Sequence, residues 1–312
     1  MAVIPACPPP REPSRPKTAL PPGACDTHAH VFGPASQFPY ADDRSYTPPD
    51  APLAKYLGML DTLGFARGVL VQGSAHGRDN GAMLDALARQ PQRLRGVAVA
   101  DADTPAAELR RWAALGVRGL RFNHFFRGGG LHYRGGVPLD VARALAPLMA
   151  ELGWHLQLWI DVKDLPDTIP TLKSLGLAVV IDHMGRTDAR AGTATPGFQS
   201  LLRLVGEGGC WVKLSGAHRL SNAAPDYTDA RPFHEALVRA NPERLVWHRL
   251  AASAHRGRDA RCGKAARSVP RLDAGRKNAA RHPGGQSGAA LRIPVVMRIQ
   301  APVSASPRPP PP

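Results

Sequence analysis

The 312-residue chain is poor in cysteine and has no long apolar run; toward its end it also runs out of aromatic and acidic side chains. Its four cysteines, Cys7, Cys25, Cys210 and Cys262, form no CxxC and no close pair. That spacing argues against a disulfide framework and against a zinc knuckle. No segment approaches the roughly 20 apolar residues of a membrane span, and Met1 to Leu20 is Pro-rich without the apolar core of a signal peptide. The expected location is the cytoplasm.

Acidic residues are outnumbered, 25 against 40 Lys and Arg, for a formal charge of +15. Such an excess suggests a nucleic-acid binder, but it is unevenly spread. Residues 248–312 hold 13 Lys and Arg against 2 Asp and Glu, and none of the chain's 5 Trp, 5 Tyr and 8 Phe. Residues 1–247 are close to balance, 27 against 23. A basic segment without aromatics buries little apolar surface and reads as disordered, and without aromatics it has no platform for stacking bases.

What the chain does have is a regular alternation. After a Pro-rich leader over 1–22, expected to be flexible, short β-branched runs begin near Cys25, Gly68, Leu94, Val117, Trp154, Leu177, Cys210 and Arg244. Between most of them lie stretches with apolar residues at helical spacing: Ala51 to Leu63, Asn80 to Arg89, Pro105 to Leu115, Leu139 to Leu152, Phe198 to Gly206 and Pro232 to Ala240. Gly64, Gly116, Gly153 and Gly176 stand where left-handed helix caps belong. Eight strands alternating with helices predict an α/β fold, a (β/α)8 TIM barrel over 23–247, although an open doubly wound sheet shares this local pattern.

Polar residues gather at the strand ends, the catalytic face of such a barrel. His28 and His30 are two apart on an extended run, so their imidazoles share a face. An isolated pair of this kind is equally a solvated strand end; at a barrel mouth it can bind a metal, polarise a carbonyl or move a proton. His183, in Asp182-His183-Met184-Gly185, can join them. Gln72, Ser74 and His76 follow the second strand, Asp161 the fifth, and Lys213, Ser215 and Arg219 the seventh. Arg121, Arg127 and Arg219 are suited to bidentate grip on carboxylates, which points to a small, multiply charged acid. Tyr46 and Ser74 can add neutral hydrogen bonds. The Gly128-Gly129-Gly130 run lacks the Lys-Ser/Thr partner of a phosphate loop.

The runs DTHAHVFGP, RSYTPPDAP, LGFARGVLVQGSAHGRDN, GVRGLRFN, LGWHLQLW and VVIDHMGR together resemble the amidohydrolase superfamily, specifically the metal-independent lactonases that open 2-pyrone-4,6-dicarboxylate in lignin-aromatic breakdown. The resemblance spans about Ala24 to Trp247. It implies catalytic roles for His28, His30 and His183, with no cofactor. Substrate binding is implied for Tyr46, Ser74, His76, Arg121, Arg127 and Arg219. Trp159 stands where that family has a tyrosine, which leaves the exact acid open. The rival within the superfamily is a metal-dependent decarboxylase or hydrolase with zinc on His28, His30 and His183. A third reading is an inactive barrel carrying a basic nucleic-acid-binding tail, which would show a steep salt dependence.

The resemblance breaks after Trp247. The family ends its eighth strand with Gly-Thr-Asp-Trp-Pro-His, whose Asp activates water, and closes with an Asp-Asn-Pro-Ala-x-Leu-Tyr helix; neither is present here. One permitted codon set for Trp247 to His255, TGG CAC CGA CTG GCC GCA TCC GCA CAY, read from its second letter spells Gly-Thr-Asp-Trp-Pro-His-Pro-His. The codons of His282 to Pro294 permit Ile-Leu-Val-Asp-Asn-Pro-Ala-Arg-Leu-Tyr-Gly-Phe-Pro in the same frame. Residues 248–312 thus read as out of frame, leaving a barrel incomplete at strand eight and the last helix. A chain of that kind is expected to be poorly soluble and nearly inactive.

Overall fold

A computed structural model describes residues 4–247 apart from 10, 11, 17, 128, 129, 132–134, 222, 224 and 225. Segment 248–312 lies outside the described residues, and with it the readings of a shifted frame and of a nucleic-acid-binding tail.

Eight parallel strands form one sheet in sequence order: β1 (Cys25–Ala29), β2 (Arg67–Val71), β3 (Leu94–Ala98), β4 (Val117–His124), β5 (His155–Ile160), β6 (Val179–Ile181), β7 (Trp211–Lys213) and β8 (Leu245–Val246). Each begins within two residues of its expected start. The sheet curls into a nearly closed barrel with helices between the strands, so both faces of each strand are covered and the strands read as near-continuous apolar runs. Leu70, Leu94, Leu120, Leu156, Ile181 and Val212 are fully buried.

The connecting helices are α1 (Leu53–Leu63), α2 (Gly81–Arg89), α3 (Ala106–Leu115), α4 (Ala142–Glu151), α5 (Leu165–Ser174), α6 (Pro196–Gly206), a single turn α7 (Ala217–Leu220) and α8 (Arg231–Ala240). Gly64, which caps α1, has φ +83°, and its N–H returns to Asp61 O and Leu60 O, closing the helix as its position predicted. The expected helix over Leu139 to Leu152 opens with a 3₁₀ turn, Leu139–Val141, and continues as α4. The leader is not wholly free: Cys7 N–H donates to Thr47 O and Thr47 N–H to Pro5 O, at 2.9 Å each, which ties residues 5–7 to the loop before α1.

Among the described residues no ladder joins β8 to β1. The seam instead carries the Thr27 hydroxyl donating to Trp247 O at 2.8 Å, with the Trp247 indole stacked on Phe65 at 6.0 Å between centroids.

Candidate active site

His28 and His30 leave β1 on the same face, as alternation requires, with their Nε2 atoms 3.4 Å apart. His30 is held by its Nδ1–H, which donates to Val71 O on the neighbouring strand at 2.7 Å. Burial, and then the Arg121 charge, push its pKa down to about 4, so the ring is neutral near neutral pH. His183 follows β6, its ring centroid 5.0 Å from that of His28, with Nδ1 3.0 Å from Ser215 Oγ. The three expected imidazoles do converge.

The backbone after β6 is unusual. His183, Met184 and Arg186 take φ of 49°, 52° and 52°, a left-handed region that side chains with a Cβ seldom occupy. Such strain persists only where the surroundings impose it, and it clusters at functional sites. Here it turns the imidazole of His183 inward and lays the Arg186 guanidinium over Phe125 at 4.2 Å. Gly216 after β7 makes room for this turn, since a Cβ there would lie 2.9 Å from His183 Cβ.

Below the imidazoles lies a buried charged centre. Arg121 and Gln157 are register partners on β4 and β5, so both side chains enter the barrel at one level. Asp182 Oδ2 accepts from Arg121 Nε at 3.1 Å, Arg121 Nη2 at 2.9 Å and Gln157 Nε2 at 3.1 Å. Its Oδ1 faces Lys213 Nζ at 3.2 Å. Lys213 also reaches Gln157 Oε1 at 2.7 Å and His28 Nδ1 at 3.0 Å. Burial alone would raise the Asp182 pKa, but Lys213 and Arg121 hold it well below the ordinary carboxylate range. Burial pulls Lys213 down to about 8, with Asp182 resisting the shift.

Above this centre is an arginine and aromatic shelf. Arg121 and Arg219 lie over the buried Trp159 ring at 4.8 and 4.9 Å, Arg186 at 5.9 Å, and the ring meets His183 edge-on at 5.5 Å. His76 stacks on Phe32 and donates its Nδ1–H to Pro39 O, 3.0 Å away. Its buried Nε2, and Asn123 Oδ1, have no hydrogen-bond partner among the described residues. Buried polar atoms of that kind call for a ligand or water.

The expected residues therefore separate. His28, His30, His183 and Arg219 meet at one mouth, and Phe32 links them to His76 and to the buried Tyr46. Arg121 is tied to the charged centre as well, with Nε and Nη2 both on Asp182 Oδ2. Ser74 is half-buried in a 3₁₀ turn after β2. Arg127 lies in a short hairpin, Phe126–Arg127 against Gly130–Leu131, and its side chain falls outside the described residues. Sequence reasoning passed over Gln157 and Arg186; the first is masked by its place inside an apolar run, the second by lying past the His183 motif.

His28, Asp182 and His183 each bring a donor atom within 4.8 Å of the others, a spacing that a divalent ion can bridge. The charges oppose it. Asp182 is already ion-paired to Arg121 and Lys213, so a metal there would sit beside two buried cations and compete for the carboxylate that pairs with both. Those two cations weigh against a metal at His28, Asp182 and His183.

This arrangement has known relatives. Residues 25–247 match the amidohydrolase family, and the chain belongs to it. It is 39% identical over 244 residues to the 2-pyrone-4,6-dicarboxylate hydrolase of Comamonas testosteroni, covering 75% of this chain and 78% of that one. It is 37% identical over 247 residues to the 4-sulfomuconolactone hydrolase of Rhizobium radiobacter, covering 79% and 81%. A Pseudomonas putida structure named for 2-pyrone-4,6-dicarboxylic acid hydrolysis superposes with a TM-score of 0.65 at 40% identity, over 80% of this chain and 89% of that one. An Acinetobacter baumannii structure of the same description, with citric acid bound, gives 0.62 at 32% identity, over 72% and 83%.

Proposed function

We propose that this barrel is that of a lactone hydrolase acting on a small polycarboxylate such as 2-pyrone-4,6-dicarboxylate, in aromatic catabolism, without a metal. Three imidazoles converge beside a shelf of arginines, and that convergence carries the reading. Hydrolysis of a lactone builds negative charge on the ring carbonyl oxygen, and preorganised N–H donors from His28 and His183 stabilise it. Arg219 and Arg186 hold the carboxylates, and stacking on Trp159 and Phe125 keeps their planar forks in place. Relatives are named for lactones bearing carboxylate or sulfonate groups, and one neighbour binds citric acid. Free thiols at Cys25 and Cys210 suit the cytoplasm.

Water must also be activated. Asp182 is a poor base, being ion-paired and held far below neutrality. The resemblance assigns that task to the Asp which a shifted frame removes after Trp247. A general base supplies about 10² to 10⁴ in rate. Turnover of 2-pyrone-4,6-dicarboxylate by the chain as written and by a frame-restored form should differ by about that factor, and the restored form should be the more soluble. Equal turnover by the two would sink the shifted frame; no turnover by either would sink the lactonase. Metal analysis of the restored enzyme separates the metal-free reading from the metal-dependent rival.

A further inference from the structure

We infer that Lys213 is a positioning residue that fixes His28 in the tautomer protonated at Nε2, so that the imidazole donates toward the barrel mouth. Its consequence for turnover rests on the lactone-hydrolase reading; the tautomer itself does not.

Hydrogen-bond direction can be followed atom by atom from the barrel centre. Gln157 Nε2 donates to Asp182 Oδ2, so the amide oxygen is the atom turned to Lys213, and Lys213 must be the donor of the 2.7 Å contact. Nζ has two hydrogen-bond acceptors, Gln157 Oε1 at 2.7 Å and His28 Nδ1 at 3.0 Å, and is ion-paired at 3.2 Å with Asp182 Oδ1. An ammonium has no lone pair to offer. His28 Nδ1 must therefore present its own, and the proton of the neutral ring sits on Nε2.

The alternative is a Nδ1–H donating to Asp182 Oδ1, the arrangement common where a carboxylate orients a histidine. That contact is longer, 3.4 Å, and would aim an N–H at the ammonium 3.0 Å away. On the far side of the ring, His30 donates Nδ1–H to the Val71 carbonyl, which leaves its Nε2 as an acceptor 3.4 Å from His28 Nε2. All donors then point one way, from Lys213 through His28 and His30 to Val71. A substrate carbonyl entering the mouth takes the His28 N–H in place of a long contact to His30. Without Lys213, the same ring would turn its proton to Asp182 and show the substrate a lone pair.

The test is a two-bond ¹H–¹⁵N correlation spectrum of the full-length chain labelled with ¹⁵N-histidine, without substrate. The His28 signals are assigned by their loss in His28→Gln. The expected wild-type pattern is a protonated Nε2 and an unprotonated Nδ1. Lys213→Met should move the proton to Nδ1, and Lys213→Arg, which keeps a cationic donor, should leave it on Nε2. A wild-type Nδ1–H overturns the inference, as does an unchanged His28 in a folded Lys213→Met. Should that variant not fold, the wild type still decides: in a sample labelled with both ¹⁵N-lysine and ¹⁵N-histidine, a hydrogen-bond coupling between Lys213 Nζ and His28 Nδ1 is expected, and its absence overturns the assignment. Because no substrate is present, the outcome for Lys213 does not depend on whether the chain opens lactones.

Discussion

The centre of the barrel and its seam are held by opposite means. At the centre, one carboxylate is gripped by Arg121, Gln157 and Lys213, and each of these has the others as neighbours. At the seam, among the described residues, two-residue β8 approaches β1 through one hydroxyl and one stacked indole pair. All residues of the centre come from β1, β4, β5, β6 and β7 or the residues just after them, upstream of the point where the family match ends. The machinery that positions His28 is therefore complete without strand eight, whereas closure of the barrel is not. A chain altered after Trp247 would keep its preorganised imidazoles and lose what shuts the barrel around them.

Breaking the centre should have the largest effect on stability. Asp182→Ala leaves Arg121 and Lys213 as buried cations without their described carboxylate, and unpaired buried charge costs about 3–5 kcal/mol. Chemical denaturation should show this as a lower midpoint with little change in slope. The exposed pair Arg89–Asp85 supplies the control, since Asp85→Ala should cost less than about 1 kcal/mol. Equal losses from the two would mean that the centre is no more than a set of ordinary ion pairs.

Breaking the seam should cost less. Thr27→Val keeps the shape of the side chain and removes the hydroxyl that reaches the Trp247 carbonyl. One such hydrogen bond is worth about 1 kcal/mol, so a small shift of the denaturation midpoint is expected, alongside faster amide exchange in β1 than in β4. A loss as large as that of Asp182→Ala would show that the seam is a main support of the fold and would erase the contrast between seam and centre.

Much of this was legible in the chain. Strand starts could be read because each carries a β-branched run between helical stretches, and the shared face of His28 and His30 follows from alternation alone. Helix α5 was foreseen only by its end at Gly176, since Pro166 and Pro170 interrupt the pattern of its own stretch; Pro166 falls in the first turn, where a missing N–H costs nothing. Asp182 and Lys213 were visible as polar strand ends, but their partnership depends on the register of β4 through β7, which no local pattern carries. The tie of Arg121 to Asp182 was hidden for the same reason: a guanidinium at a strand end looks the same whether or not it grips a carboxylate two strands away.

The smallest effect expected is one of pH, and it bears on the link between centre and mouth. His30 is neutral because of its burial and the nearby Arg121, so its folded pKa of about 4 lies below the ordinary 6.5. Between those values the unfolded chain binds the proton and the folded one does not. Stability should therefore be lost progressively as pH falls from about 6.5 toward 4, and His30→Gln should flatten that part of the profile. A direct NMR titration of the ring gives the sharper answer. If His30 titrates near 6.5, neither the fixed Nε2 acceptor of His30 nor the one-way chain of donors from Lys213 can hold at mildly acid pH.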